Sequence, residues 1–339
     1  MRKWVLEPGI TGLDALVLKE SPVPEPGPGQ VRVAVKAASL NYRDQILLHG
    51  RWGITIEEEV VPLGDASGVI DAVGPGVEEW RVGDRVLGIY HGGWIDGPPP
   101  AEVGFGLGSP GQDGVLAEYI VLNADRVTRM PSTLDFVEAS TLPCAALTAW
   151  SALTGDKPVR AGQRVLTLGT GGVSLFALQL ALAMGAEVTA LTGQDVKASR
   201  LLDLGATDVI NYRTTPNWGE VVHSATGGMD KVVNTDGGNA LTQSLAAVSA
   251  GGEIAFVGLF SEGDAPPPLL VLMTKAASIR GVAVGSATAF TQLIDFVDQH
   301  GIKPVVRSTF AFEDAKAAYT AQAGADVFGK IVVEVAPQS

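Results

Sequence analysis

The sequence predicts an α/β protein in which a doubly wound parallel sheet is joined to a compact, irregular β domain. Three observations carry this. From about residue 129 short apolar runs alternate with helical runs, the pattern of successive βαβ units. The first third is instead rich in glycine, proline and short β-like runs. Residues 164–185 place a strand, a glycine turn and a helix in immediate succession.

In chain order, residues 21–29 form a stiff, extended proline-rich turn region, and residues 31–37 alternate as a half-buried strand. Residues 64–76 and 80–88 read as further strands with tight turns. A loop over residues 91–114 carries Pro98, Pro99 and Pro100 in a row, and loops of that length usually carry function. Parallel-strand candidates follow at 165–168, 188–191, 209–211, 231–234, 253–257 and 279–284, with helices at 196–204, 218–226 and 240–248. After Gly285 come helices at 289–300 and 312–323 and a closing strand at 331–335. A last strand needs an open edge, so this tail is expected to rejoin the first domain. The domains are then 1–128 with 285–339, and 129–284.

The glycine turn is the most specific signal. Val165 to Leu168 is an apolar run suited to a buried parallel strand. Gly169 permits a tight turn and Gly171 lets backbone approach a pyrophosphate. The following helix directs the N–H groups of Gly172, Val173 and Ser174 at that charge. Ser174 stands where the pattern usually has a third glycine, and as a small residue it is expected to be tolerated. The chain is therefore read as a dinucleotide binder. Gly258 and the pair Gly285-Ser286 end strands at the carboxyl edge, where ligands bind in such sheets.

Bulk properties narrow the class. The chain has 339 residues, 46% hydrophobic and 18% charged, enough for two cores and not a disordered composition. A net charge of −13 argues against nucleic acid or an anionic membrane as partner. The single cysteine, Cys144, excludes an intrachain disulfide and a cysteine-rich zinc lobe. The N-terminus lacks the apolar core of a signal peptide, and the longest apolar stretch, 173–184, is interrupted by Gln179 and too short for a bilayer. A cytoplasmic protein is the simplest expectation.

Several phrases, in order, resemble one family: Gly64-Asp-Ala-Ser-Gly68, Leu142-Pro-Cys-Ala-Ala-Leu-Thr-Ala-Trp150, the glycine turn, Leu204-Gly-Ala-Thr-Asp-Val-Ile-Asn-Tyr212 and Phe328-Gly-Lys-Ile-Val-Val333. Together they resemble the medium-chain dehydrogenase/reductase superfamily, most of all its zinc-independent quinone oxidoreductase-like branch. The resemblance spans essentially the whole chain. It implies a GroES-like β domain built from both termini around a Rossmann domain, with the active site in the cleft between them. It also implies a homodimer joined through the coenzyme domain, here at residues 278–284.

The resemblance also bears on metal. Alcohol dehydrogenases of this superfamily hold catalytic zinc through a cysteine, a histidine and a second cysteine. The matching positions here are Asn41, Asp65 and Cys144, a poor set for zinc. No zinc is expected. Cys144 is read as a small residue beside the nicotinamide ahead of a reactive or ligating thiol.

NADP(H) is favoured over NAD(H). The acid that grips the ribose 2′-OH in NAD-binding folds is replaced by Thr192. The resemblance places Lys197 and Tyr212 at the 2′-phosphate, and Arg213 could add charge; Asp195 argues against. Thr148 matches a position near the nicotinamide ribose or phosphate, and Gly329 and Lys330 match the phrase closing the coenzyme site. No hydrolase-type nucleophile motif is present, so the chemistry falls to the coenzyme. Without zinc, reduction of a quinone or an α,β-unsaturated carbonyl is favoured, because the charge that develops spreads onto an enolate oxygen. Asn41, Tyr42 and Asp65 are the catalytic candidates: Asn41 as a hydrogen-bond donor, Tyr42 as a proton donor, Asp65 pairing with Arg43 or holding a water. Asp44 is read as a capping acid, and Tyr90 and Trp94 as pocket-lining or locally packed aromatics. The alternatives are an alcohol or aldehyde dehydrogenase of the same superfamily and a coenzyme-binding protein without turnover.

Overall fold

The computed structural model describes residues 1–101, 103–258, 261, 267–324 and 326–335. Its strands are β1 (Arg2–Leu6), β2 (Leu16–Glu20), β3 (Gln30–Ser39), β4 (Asp65–Val73), β5 (Arg85–Gly88), β6 (Tyr119–Asn123), β7 (Val127–Arg129), β8 (Arg164–Leu168), β9 (Glu187–Thr192), β10 (Asp208–Asn211), β11 (Met229–Asn234), β12 (Val248–Phe256), β13 (Ser278–Gly281), β14 (Val306–Ala311) and β15 (Lys330–Glu334). Its helices are α1 (Tyr42–Leu48), α2 (Phe136–Ala139), α3 (Leu147–Thr154), α4 (Gly172–Ala183), α5 (Ala198–Asp203), α6 (Trp218–Thr226), α7 (Leu241–Ala247), α8 (Leu270–Lys275), α9 (Ala287–His300) and α10 (Ala315–Ala323). The chain forms two compact units, Met1–Ala145 with Ser286–Ser339, and Ala146–Gly285.

The first unit is a β domain. One sheet runs β14-β15-β3-β4-β5-β7, with β6 pairing β3, and β1 and β2 form a separate antiparallel hairpin. β3 alternates along its length, with Val31, Val33, Val35 and Ala37 buried, because one face lies on the core and the other does not. The C-terminal segment belongs here: β15 lies antiparallel to β3, and Phe312, Ala315, Ala318 and Tyr319 join the same core. Residues 129–145 also lie in this unit, whereas the composition places the change at 129, and Gly285 lies in the second unit. α2 is tied to β4 by the Ser67 hydroxyl, which donates to the Phe136 carbonyl at 2.5 Å, and Arg85 donates to the Leu134 carbonyl at 3.1 Å.

The second unit is an all-parallel sheet in the order β10-β9-β8-β11-β12-β13. Strand order reverses between β8 and β11, so the turn after β8 opens at the switch point of the sheet, where ligands of such sheets bind. β13 stops at Gly281, short of residue 284, and Val284 takes a left-handed φ of 48° that no strand continues through. β12 begins at Val248, directly after α7, earlier than the run from residue 253 suggests. No described helix is long and apolar enough to cross a membrane.

Candidate active site

In the second unit Gly169 ends β8 at φ 83°, a conformation that favours glycine. Gly171 is the N-cap of α4, at φ −74° and ψ 173°. A Cβ built on either residue meets nothing within 4 Å, so the backbone faces open space on that side. The first-turn amides of Gly172, Val173 and Ser174 have no intrahelical acceptor by the geometry of a helix start. These residues therefore fit a pyrophosphate cradle. Ser174 does more than tolerate its position. Its hydroxyl donates to the Leu168 carbonyl at 2.6 Å and lies 3.2 Å from the Thr235 hydroxyl, which bonds the same carbonyl at 2.6 Å. Helix α4 is thereby fastened to the end of its strand by a hydroxyl where close packing alone was expected.

At the end of β9, Thr192 is buried and its hydroxyl accepts from the Gln194 amide at 3.2 Å. A Cβ on Gly193 would meet Tyr212 Oη at 2.5 Å and Arg213 Nε at 3.1 Å, so both side chains converge on this strand end. Tyr212 and Arg213 are exposed, whereas Lys197 is buried. Asp195, the residue that argues against a 2′-phosphate, accepts from Asn211 Nδ2 at 2.7 Å. Thr148 is buried on α3. Gly285 lies against the Ser151 hydroxyl and Leu147, and Gly258 against the Gly237 backbone. The turn after β11 is held by Asn234, which the sequence reading missed. Its Oδ1 accepts from the amides of Asp236 and Gly237 at 3.1 and 2.9 Å.

The first unit holds a buried polar cluster, and strand register explains it. Ser39 at the end of β3 is opposite Asp65 on β4 and Val332 on β15, so the start of β15 stands beside both. Asn41 follows β3 and caps α1; its amide N–H donates to Asp44 Oδ2 at 2.7 Å, completing a capping box. The Lys330 ammonium donates to the Leu40 carbonyl at 2.6 Å and to Asn41 Oδ1 at 2.5 Å, and lies 3.5 Å from Asp65 Oδ2. Asn41, Asp65 and Lys330 are 9%, 0% and 4% exposed, so these groups have exchanged water for one another. Because a lysine can only donate, it fixes the Asn41 amide with Oδ1 inward. Asn41 Nδ2 and Asp65 Oδ1 have no well-aligned hydrogen bond. Gly329, at φ 95°, makes the turn that delivers Lys330.

Burial pushes the Asp65 carboxyl above its usual range; Lys330, the Asn41 side chain, Arg43 and the Cys144 amide offset part of that. Arg43 does not pair with Asp65. Its Nε lies 3.1 Å from Asp44 Oδ1, the neighbouring acid on the same helical turn. The guanidinium then donates to the carbonyls of Phe105 and Leu107 and sits 5.1 Å from the centre of the Tyr90 ring. A side chain at Gly64 would strike that ring at 2.7 Å and Arg43 Nη2 at 2.9 Å. The preceding Leu63 is buried at φ 68°, a strain on the order of 1 kcal/mol held at the entry to Asp65. Tyr42 follows Asn41 as the first residue of α1, and its hydroxyl accepts from Arg51 Nη1 at 3.2 Å. Trp94 is buried, and its indole N–H donates to the Gly97 carbonyl at 3.0 Å. Tyr90 and Trp94 are thus packed locally.

Burial and the nearby Asp65 push the Cys144 thiol up to about 12. Alkylation of the native protein by iodoacetamide at pH 8 is expected to run roughly 1,000-fold slower than that of a free thiol, because the thiolate is the nucleophile. Rates measured before and after unfolding in urea check this; equal rates would refute the shift. The oxygens at the matching positions are engaged with one another: Asn41 Oδ1 accepts from the Lys330 ammonium at 2.5 Å, and Asp65 Oδ2 lies 3.5 Å from the same ammonium. Among the described residues no group of three His, Cys, Asp or Glu side chains comes together to hold a metal.

A parallel sheet with a glycine turn at its switch point, accompanied by a β domain of this topology, defines an α/β dehydrogenase architecture with GroES-like and Rossmann parts. Residues 27–132 match the alcohol dehydrogenase GroES-like domain, and residues 172–299 match the zinc-binding dehydrogenase domain. A zinc-type alcohol dehydrogenase-like protein of Schizosaccharomyces pombe is 38% identical over 98% of this chain and 99% of its own. A solved Sinorhizobium meliloti chain, assigned as a candidate alcohol dehydrogenase, is 40% identical with a TM-score of 0.90 over 99% of this chain and 100% of that one. A structure named as an NAD-dependent alcohol dehydrogenase is 34% identical with a TM-score of 0.89, covering 99% and 100%. The chain belongs to the medium-chain dehydrogenase/reductase superfamily and is an oxidoreductase of that group.

Proposed function

We propose that this protein is an NADP(H)-preferring reductase that transfers hydride to quinones or α,β-unsaturated carbonyl compounds without a metal. The observation that carries this reading is the Lys330–Asn41–Asp65 cluster, which presents hydrogen-bond donors and a fixed positive charge in place of metal ligands. When bound, the coenzyme supplies the hydride. The amides of Gly172, Val173 and Ser174 hold its pyrophosphate, and Gly169 and Gly171 leave room for it. Asn41 offers its Nδ2 donors to the substrate oxygen that gathers negative charge, and Tyr42 supplies a hydroxyl for proton return. Asp65 and Lys330 hold Asn41 in that orientation. Thr192 in place of an acid, with Tyr212 and Arg213 converging on Gly193, favours a 2′-phosphate. The outer edge of β13 has no partner strand among the described residues, and pairing there with a second copy forms the proposed homodimer.

NADPH oxidation against 1,4-naphthoquinone and 2-cyclohexenone, with and without a chelator, tests the reading. Turnover that survives chelation supports it; turnover that requires stoichiometric zinc, or none despite tight NADPH binding, overturns it. In the same assay Lys197→Met is expected to weaken NADPH by roughly 10- to 100-fold while sparing NADH. The names of the relatives favour a second reading, alcohol oxidation, which the zinc-requiring outcome would select.

A further inference from the structure

We propose that the Lys330 ammonium is the resident cation of the buried cluster that holds Asn41 and Asp65 beside Cys144, and that it excludes divalent metal from that place. The proposal rests on the metal-free reading above and assigns the cause of it to one residue. An ammonium has three N–H groups. Here two of them are taken by the Leu40 carbonyl at 2.6 Å and Asn41 Oδ1 at 2.5 Å, and Asp65 Oδ2 lies 3.5 Å away as the counter-ion. Two of those three oxygens are the ones a metal at this place would need. An ion bound to them would stand within a few ångströms of a buried positive charge, where water screens little.

Charge balance points the same way. Lys330 compensates the charge of Asp65, which is fully buried. A divalent ion added beside both would add charge where Lys330 already balances Asp65. The position is set by the fold. Lys330 is the first residue of β15, delivered by the Gly329 turn two residues before Val332 meets the end of β3, and it is 4% exposed. The lysine therefore occupies the space that a metal would take.

Cobalt(II) is the probe, because a thiolate bound to it gives a charge-transfer absorption that reports Cys144 directly. Four full-length chains are compared after treatment with chelator and incubation with cobalt: the wild type, Lys330→Met, Asp65→His, and Asp65→His with Lys330→Met. The second pair guards against misfolding, since the double variant buries no unpaired charge; circular dichroism checks the fold of each. Chains that keep Lys330 are expected to emerge from gel filtration without cobalt. Chains that lose it are expected to bind cobalt about 100-fold more tightly and to show the thiolate band. Cobalt bound alike with and without Lys330, or bound by none of the four, overturns the role given to the lysine. Stoichiometric zinc in the wild type as purified would overturn the metal-free reading as well. A metal-free wild type with equally metal-free Lys330 variants overturns the lysine assignment alone.

Discussion

Gly171→Asp is expected to abolish coenzyme binding while leaving the fold as stable as before. Gly171 already has the extended dihedral angles of an N-cap, φ −74° and ψ 173°, and the cap carries no side-chain hydrogen bond. Aspartate is among the best N-cap residues, worth a few tenths of a kcal/mol over glycine. A Cβ there meets nothing within 4 Å, so the protein itself has no steric objection. The added carboxylate, however, occupies the place proposed for a pyrophosphate and repels it, so affinity for NADPH should fall about 100-fold or more. The effects have opposite signs: the melting temperature holds or rises slightly while binding is lost. Calorimetric titration with NADPH and a thermal melt of the same sample measure both. Unchanged affinity would remove the glycine turn from the coenzyme site.

The second large effect concerns stability. Lys231 and Glu253 form an ion pair at 2.5 Å, each side chain 2% exposed, on the paired strands β11 and β12. Lys231 also donates to the Lys157 carbonyl at 2.8 Å, and Arg280 on β13 reaches Glu253 Oε1 at 3.2 Å. Burial pushes the Glu253 carboxyl up, but hydrogen bonds from Lys231 and Arg280 outweigh it and hold the group below its ordinary range. A carboxyl whose folded value is depressed contributes stability above its unfolded value, near pH 4.5, and loses it as the pH falls through the folded one. Glu253→Leu leaves the lysine buried without its counter-ion and is expected to cost about 3–5 kcal/mol. For a unit of this size that lowers the melting temperature by roughly 6–20 °C. The double variant Lys231→Met with Glu253→Leu should recover part of the loss, since a well-packed apolar pair often matches a buried ion pair while Arg280 keeps only its bonds to the Ser151 and Ala152 carbonyls. Thermal denaturation of the three chains decides; a single variant as stable as the wild type would show that the pair contributes nothing.

What was legible in the sequence follows from what local pattern encodes. The strands and helices around the glycine turn stood out because parallel strands buried on both faces read as unbroken apolar runs. Their ends were less legible. Neither the left-handed Val284 nor the early start of β12 at Val248 is marked by composition. The hairpin of β1 and β2 was missed, since Arg2 and Lys3 precede only three buried apolar residues and resemble an exposed terminus. Asn41 and Asp65 were singled out through their match to metal-ligand positions, but the direction of Lys330 was not foreseeable. It depends on the register of β3, β4 and β15, whose residues 39, 65 and 330 are distant in the chain. Of the two roles read for Asp65, pairing with Arg43 or holding a water, the first is not formed: Arg43 Nε lies 3.1 Å from Asp44 Oδ1, its neighbour in the chain. Ser174 was read as a tolerated substitution because its bond to a strand carbonyl is tertiary.

Arg43 grips the loop over residues 91–114 through the carbonyls of Phe105 and Leu107. Every amino acid carries that oxygen, so the clasp is indifferent to which side chains the loop displays. Mutation can therefore rewrite the exposed side chains of this segment while its anchorage endures, although Gly106, Gly108 and Gly114 have no room for a Cβ. A scaffold tied in this manner is free to diversify what it recognises without having to be folded anew.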